Sequence, residues 1–141
     1  MDANVLASAF PAPGSIPAQL IERWIAREFQ LFLSEHILDG MVRAWHQPYF
    51  RARYMHVQGQ RALRLLRDRA QIVTPVDTVH GVADDDEDDL VLATAVAAQV
   101  PYLVSGDKGL QRLGHVQTIR ILSPREFLDL LRQEAASVND A

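Results

Sequence analysis

Apolar residues recur at helical spacing over much of the chain and form short unbroken runs elsewhere, and the two patterns alternate. Pro17 to Glu28 sets Leu20, Ile21, Trp24 and Ile25 on one side of a predicted helix. Phe29 to Leu33 is a short apolar run bounded by Ser34 and reads as a strand. Ser34 then caps a helix that buries Ile37, Leu38, Met41 and Trp45, and Pro48 ends it. Val57 to Arg69 reads as a helix with Leu63, Leu65 and Leu66 as its apolar contacts. Gln71 to Val76 is strand-like, its end marked by Pro75. An alanine-rich helix follows over Asp88 to Gln99, with strands at Tyr102–Val104 and Ile119–Leu122. Ser123-Pro124 is a cap followed by proline at the first helical position, which opens a last helix reaching Leu131. Residues 135–141 read as a frayed tail. Helix and strand in alternation predict an α/β fold with a mainly parallel sheet. No repeat or linker divides residues 1–141, so a single domain is expected.

Composition narrows the chemistry. With 48% hydrophobic and 23% charged residues, 141 residues suit one ordinary globular core. The chain has no cysteine, which excludes disulfides and thiolate metal sites. No apolar stretch approaches the ~18 residues of a membrane span, and Met-Asp-Ala-Asn lacks the basic region of a signal peptide. A cytoplasmic location and no membrane partner are therefore expected. A net charge of −4 argues against coating nucleic acid by bulk attraction. The charge is unevenly placed, however. Residues 84–89 are all acidic, while residues 51–69 carry six arginines, Arg51 and Arg53 among them. Such a basic segment either contacts phosphates or forms a solvated helix face.

Two carboxylate groupings carry the candidate chemistry. Asp107 follows the strand Tyr102–Val104, and the carboxyl end of a parallel strand is where α/β sheets bind ligands. The same aspartate would also serve as a helix cap. The run Asp84-Asp-Asp-Glu-Asp-Asp89 is either solvated or neutralised by a divalent cation, since neighbouring acids repel one another. It lacks the glycine and closing glutamate of an EF-hand. The five histidines (His36, His46, His56, His80 and His115) show no i, i+3 or i, i+4 zinc spacing. No serine elbow and no glycine-rich phosphate loop is present. Oxygen-ligand chemistry with Mg²⁺ or Mn²⁺ remains.

Several segments, in order, resemble the PIN-domain family. Asp2-Ala-Asn4-Val-Leu6 is similar to its opening Asp-Thr-Asn-Val-Leu, and Ser34-Glu-His-Ile-Leu38 to its Ser-Glu-Glu-Ile-Leu segment. His46-Gln-Pro48-Tyr-Phe50-Arg51 resembles Arg-Arg-Pro-Lys-Phe-Arg. Asp85-Asp-Glu-Asp88-Asp-Leu-Val-Leu92-Ala-Thr-Ala95 resembles Asp-Pro-Asp-Asp-Asp-x-x-Leu-Ala-x-Ala. Tyr102-Leu-Val-Ser-Gly-Asp107-Lys108 is nearly identical to the family's Tyr-Leu-Val-Ser-Gly-Asp-Lys, and Ile119-Arg-Ile-Leu-Ser-Pro124 matches its usual ending. The similarity covers Asp2 to about Leu131 and is greatest to the VapC-like toxin components of bacterial toxin–antitoxin systems.

That resemblance implies a three-layer α/β/α domain with a five-stranded parallel sheet in the order 3-2-1-4-5. It implies Mg²⁺-dependent RNA cleavage by Asp2, Asp88 and Asp107, acting as metal ligands and catalytic acids. Asn4 and Ser105 would orient these carboxylates, and Asp85 and Asp89 would assist. A cognate antitoxin is the implied protein partner, and a homodimer is compatible with the family. Two departures stand out. The family's glutamate six residues after Ser34 is Gly40 here, with Asp39 beside it but about 100° round the helix. And only Met1 precedes Asp2, so the family's central first strand is expected upstream of Met1, or to be replaced by another segment or chain. These departures support an alternative, a PIN-like module that binds RNA or an antitoxin without cutting.

Overall fold

A computed structural model describes residues 1–48, 56–76, 81–82 and 86–140. Helix α1 (Ala3–Ala9) opens the chain, with the Asp2 side chain accepting from Val5 N at 3.0 Å, and buries Val5, Leu6, Ala7 and Ala9. Ser15 caps α2 (Ile16–Ile25), whose face of Leu20, Ile21 and Trp24 enters the core. After β1 (Phe32–Leu33), Ser34 caps α3 (Glu35–Trp45). Helix α4 (His56–Arg69) leads to β2 (Gln71–Ile72). Then come α5 (Asp86–Ala98), β3 (Tyr102–Val104), α6 (Lys108–Leu113), β4 (His115–Val116), β5 (Ile119–Leu122) and α7 (Pro124–Asp140).

Mixed helix and parallel strand gives the expected α/β class. β1 pairs with β2 in parallel, Phe32 opposite Gln71, and β3 pairs with β5 in parallel, Tyr102 opposite Arg120. β4 folds back antiparallel on β5 through a two-residue loop, where Gln117 takes φ 53°. The order 3-2-1-4-5 is not formed among the described residues. Its flanks are present as separate groups, β1-β2 and β3-β5-β4, with no ladder between them. A cavity of 320 Å³ lies between the two, lined by Leu31, Phe32, Tyr102, Leu103 and Phe127 and by Met1. Asp2 N donates to Val104 O at 2.9 Å, which places Asp2 on the free edge of β3.

The middle of helix α5 is enclosed: Val91 to Ala95 are buried in succession. Within it Thr94 Oγ1 donates to Ser34 Oγ at 2.9 Å and so ties α5 to the junction of β1 and α3. α1 and α3 pack closely. Trp45 Nε1 donates to Ala7 O at 3.0 Å, and the Trp45 ring meets Phe10 edge-on at 6.3 Å. Gly40 is what permits this approach. A Cβ there would lie 2.9 Å from Ala3 Cβ, inside the ~3.5 Å at which carbon atoms attract.

The apolar run after Asp2, whose type the sequence left open, is a helix capped by the Asp2 side chain at the Val5 amide. Three expected boundaries differ. The strands expected over Phe29–Leu33 and Gln71–Val76 shorten to two residues each, the length over which they face one another. The last helix continues through the expected tail to Asp140, with no glycine or proline to stop it.

Candidate metal centre

The carboxyl end of β3 organises the acidic residues. Beyond Val104 the chain runs Ser105-Gly106-Asp107 into α6. Ser105 is fully buried. Its amide donates to Leu122 O at 2.9 Å on the β5 side, its hydroxyl donates to Asp2 Oδ2, and the hydroxyl oxygen accepts from Asp107 N at 3.0 Å. One serine thus holds the carboxylate of Asp2 and the backbone of Asp107 together. Asp2 is buried, and its other oxygen caps α1. Asp107 Oδ2 accepts from Leu110 N at 2.8 Å, so the capping role is present. Its Oδ1 makes no hydrogen bond among the described residues and is accessible at the exposed side chain.

Asp88 reaches the same place from the first turn of α5. Asp2, Asp88 and Asp107 line one depression of 460 Å³, with Asn4, Ile37 and Gly40 also on its wall. Among the described residues no three His, Asp or Glu side chains are gathered closely enough to form a ready-made ligand cluster. The aspartates surround the depression instead. Their donor set of carboxylate oxygens suits a hard divalent cation, whose remaining positions water would fill. Next to Asp2, burial holds the Met1 α-amine below its ordinary range, and the Asp2 charge acts in the opposite direction.

The family model for the PIN domain matches residues 1–109, more than two thirds of the chain. The chain belongs to the PIN-domain family. It matches none of the curated proteins and none of the solved structures. PIN domains are generally nucleases that use divalent metals. Among the described residues of this PIN domain, no helix is long and apolar enough to cross a membrane.

The remaining candidates divide. Asn4 is exposed at the mouth of the depression and is not hydrogen-bonded through its side chain to any of the three aspartates; its carbonyl accepts from Ser8 Oγ. Asp89, expected as an assisting acid, is buried and turned elsewhere. Its oxygens accept from Gly81 N at 2.8 Å and Val82 N at 3.1 Å, fixing the segment ahead of α5. Asp39 does not line the depression. Gly40 lines the depression, whereas Asp39 is exposed and lends its charge to Arg67 of α4. Asp85, Arg51 and Arg53 lie outside the described residues. Of the arginines on α4, Arg67 is bound by both guanidinium nitrogens to Glu35 at 2.6 and 2.9 Å, and Arg61, Arg64 and Arg69 line no part of the depression.

The structure adds residues that the sequence did not single out as functional. His36, Arg43 and Gln47 line the depression on the α3 side. With Gly40 they fall at i, i+4, i+7 and i+11, so a helical stripe was readable in the sequence once Gly40 was known to face the acids.

Proposed function

We propose that this PIN domain is a Mg²⁺-dependent endoribonuclease, the toxin component of a bacterial type II toxin–antitoxin system, acting in the cytoplasm against RNA and held in check by a cognate antitoxin. The observation that carries the proposal is the convergence of Asp2, Asp88 and Asp107 on one depression, two of them organised by Ser105. The order 3-2-1-4-5 and the three-layer arrangement belong to the same reading. In it Asp2 and Asp107 would hold Mg²⁺ from the end of β3, and Asp88 would hold it from α5. The ion would supply Lewis acidity towards a phosphoryl oxygen and would make a water at the site more acidic. Ser105 keeps Asp2 oriented by donating to it. The depression leaves room for a phosphodiester beside the acids.

The test is cleavage of single-stranded RNA with Mg²⁺, with EDTA and with Mn²⁺. Asp88→Asn and Asp107→Asn should abolish cleavage while leaving the fold intact by circular dichroism. Expression should arrest bacterial growth, and co-expression of the product of the adjacent reading frame should relieve the arrest. Gly40 favours a second reading, because a glycine packed on Ala3 leaves no carboxylate on the α3 wall. In that reading the domain binds RNA or antitoxin without cutting. RNA retained by the protein but left intact at millimolar Mg²⁺ and Mn²⁺ would establish it over the first.

A further inference from the structure

The depression at the acids continues into a second one. A space of 690 Å³ shares Asn4, Asp88 and Asp107 with it and runs away along α6. The two form a groove with the aspartates at its middle. Lys108 and Arg112, one helical turn apart on α6, line this second space, both exposed. Neither forms an ion pair with a described residue. Arg43 and Gln47 line the other half at the end of α3. Basic side chains therefore stand on both sides of the aspartates.

We propose that a single RNA strand lies through this groove with phosphates on both sides of the scissile one, held by Lys108 and Arg112 on the α6 side and by Arg43 on the α3 side. The inference rests on the nuclease reading and assigns its substrate-positioning residues. A polyanion meets repulsion from bare aspartates, but a divalent cation held there would offset most of their charge, so that the basic side chains on either side can draw in the flanking phosphates. Cations flanking an acidic centre on both sides match a chain that continues in both directions. A substrate that ended at the acids would engage only one wall. The groove thus suits internal cleavage, and it assigns binding to α3 and α6 rather than to the arginines of α4.

The test is fluorescence anisotropy of a labelled eight-residue oligouridylate in Ca²⁺, with salt varied between about 50 and 200 mM. Each of Arg43→Ala and Arg112→Ala should reduce the slope of log K against log[salt] by about 0.7, the value for one single-strand phosphate contact. Arg132→Ala should leave it unchanged, because Arg132 pairs with Gln19 and Asp129 away from the groove. Arg112→Lys should retain the slope, which separates charge from any change in folding. With Mg²⁺ a circular RNA should be opened, with KM raised and kcat nearly kept in the two alanine variants. Slopes equal to wild type in both alanine variants would overturn the groove even if RNA is cut. So would cleavage restricted to linear RNA ends. Wild-type protein that binds with the full slope but never cuts would overturn the nuclease reading and leave the groove standing.

Discussion

The contact between Gly40 and Ala3 gives the most discriminating prediction. Gly40→Ala places a methyl carbon 2.9 Å from Ala3 Cβ, about 0.6 Å inside the ~3.5 Å optimum. Ala3 Cβ has no torsion by which to retreat, so α1 and α3 must move apart. Overpacking of this kind costs about 1–3 kcal/mol. Against it stands the gain of replacing a mid-helix glycine by alanine, about 1 kcal/mol. The net effect is a loss of about 0–2 kcal/mol, or up to roughly 8 °C in Tm. Removing the opposing methyl inverts the sign. In an Ala3→Gly background the clash is gone, and Gly40→Ala should stabilise by up to about 1 kcal/mol. Thermal melting of the four proteins of the cycle measures the coupling, expected at about 1–3 kcal/mol. Additive effects, or a Gly40→Ala protein more stable than wild type, would refute the packing argument. The same geometry governs restoration of the family's glutamate. Gly40→Glu alone should lose stability and disturb Asp2, which caps the helix that must move. Only Gly40→Glu combined with Ala3→Gly tests a fourth carboxylate fairly.

Other consequences follow from the hydrogen bonds. Ser105→Ala leaves Asp2 Oδ2 and the Asp107 amide without their partner; it should cost about 1–3 kcal/mol in denaturant unfolding and weaken Mg²⁺ binding roughly 10–100-fold by titration calorimetry. Asp89→Ala frees the Gly81 and Val82 amides; about 1–3 kcal/mol should be lost, with faster hydrogen exchange at both amides. Arg67 holds the Glu35 carboxyl below its ordinary 4.5, and the backbone and hydroxyl of Ser123 do the same for Glu126. Each contribution is complete above pH 4.5 and fades as pH falls through the depressed folded value. Glu35→Gln and Glu126→Gln should therefore flatten the acid limb of a Tm–pH profile, and salt should diminish only the Glu35 effect strongly.

The helices were legible because each carries its own signal. α2 and α3 show a serine cap and an apolar stripe, and both occur within a few residues of the expected bounds. Strands were less legible, because a strand's ends are set by its partner. Phe29 to Val76 supplies two apolar runs, but their ladder covers only Phe32–Leu33 against Gln71–Ile72. β4 was invisible for a related reason. Its turn begins at Gln117 with positive φ, where glycine is the usual sign of such a hairpin. The hexapeptide from Val5 to Phe10 announced an apolar element but not its type, and the deciding fact is the bond from Val5 N to Asp2.

The acids proposed for the site could be named from the sequence, but what brings them to one depression could not, and the reason is physical. Motif similarity identifies Asp2, Asp88 and Asp107 individually, at positions 86 and 19 residues apart along the chain. Their convergence depends on two backbone events that no side-chain pattern records. Asp2 N must reach Val104 O, and Ser105 N must reach Leu122 O. Together these bonds pin both neighbours of Ser105 Oγ, so that a single hydroxyl spans Asp2 and the Asp107 amide. Asp89 shows the converse. It stands next to Asp88 in the sequence, yet one step round α5 turns it from the depression to the Gly81 and Val82 amides. In an acidic run of six, helix phase separates the carboxylate that can meet a cation from the one that fixes a loop. The same phase sets Gly40 on the wall of the depression and turns Asp39, one position away, off that wall and towards the charge of Arg67.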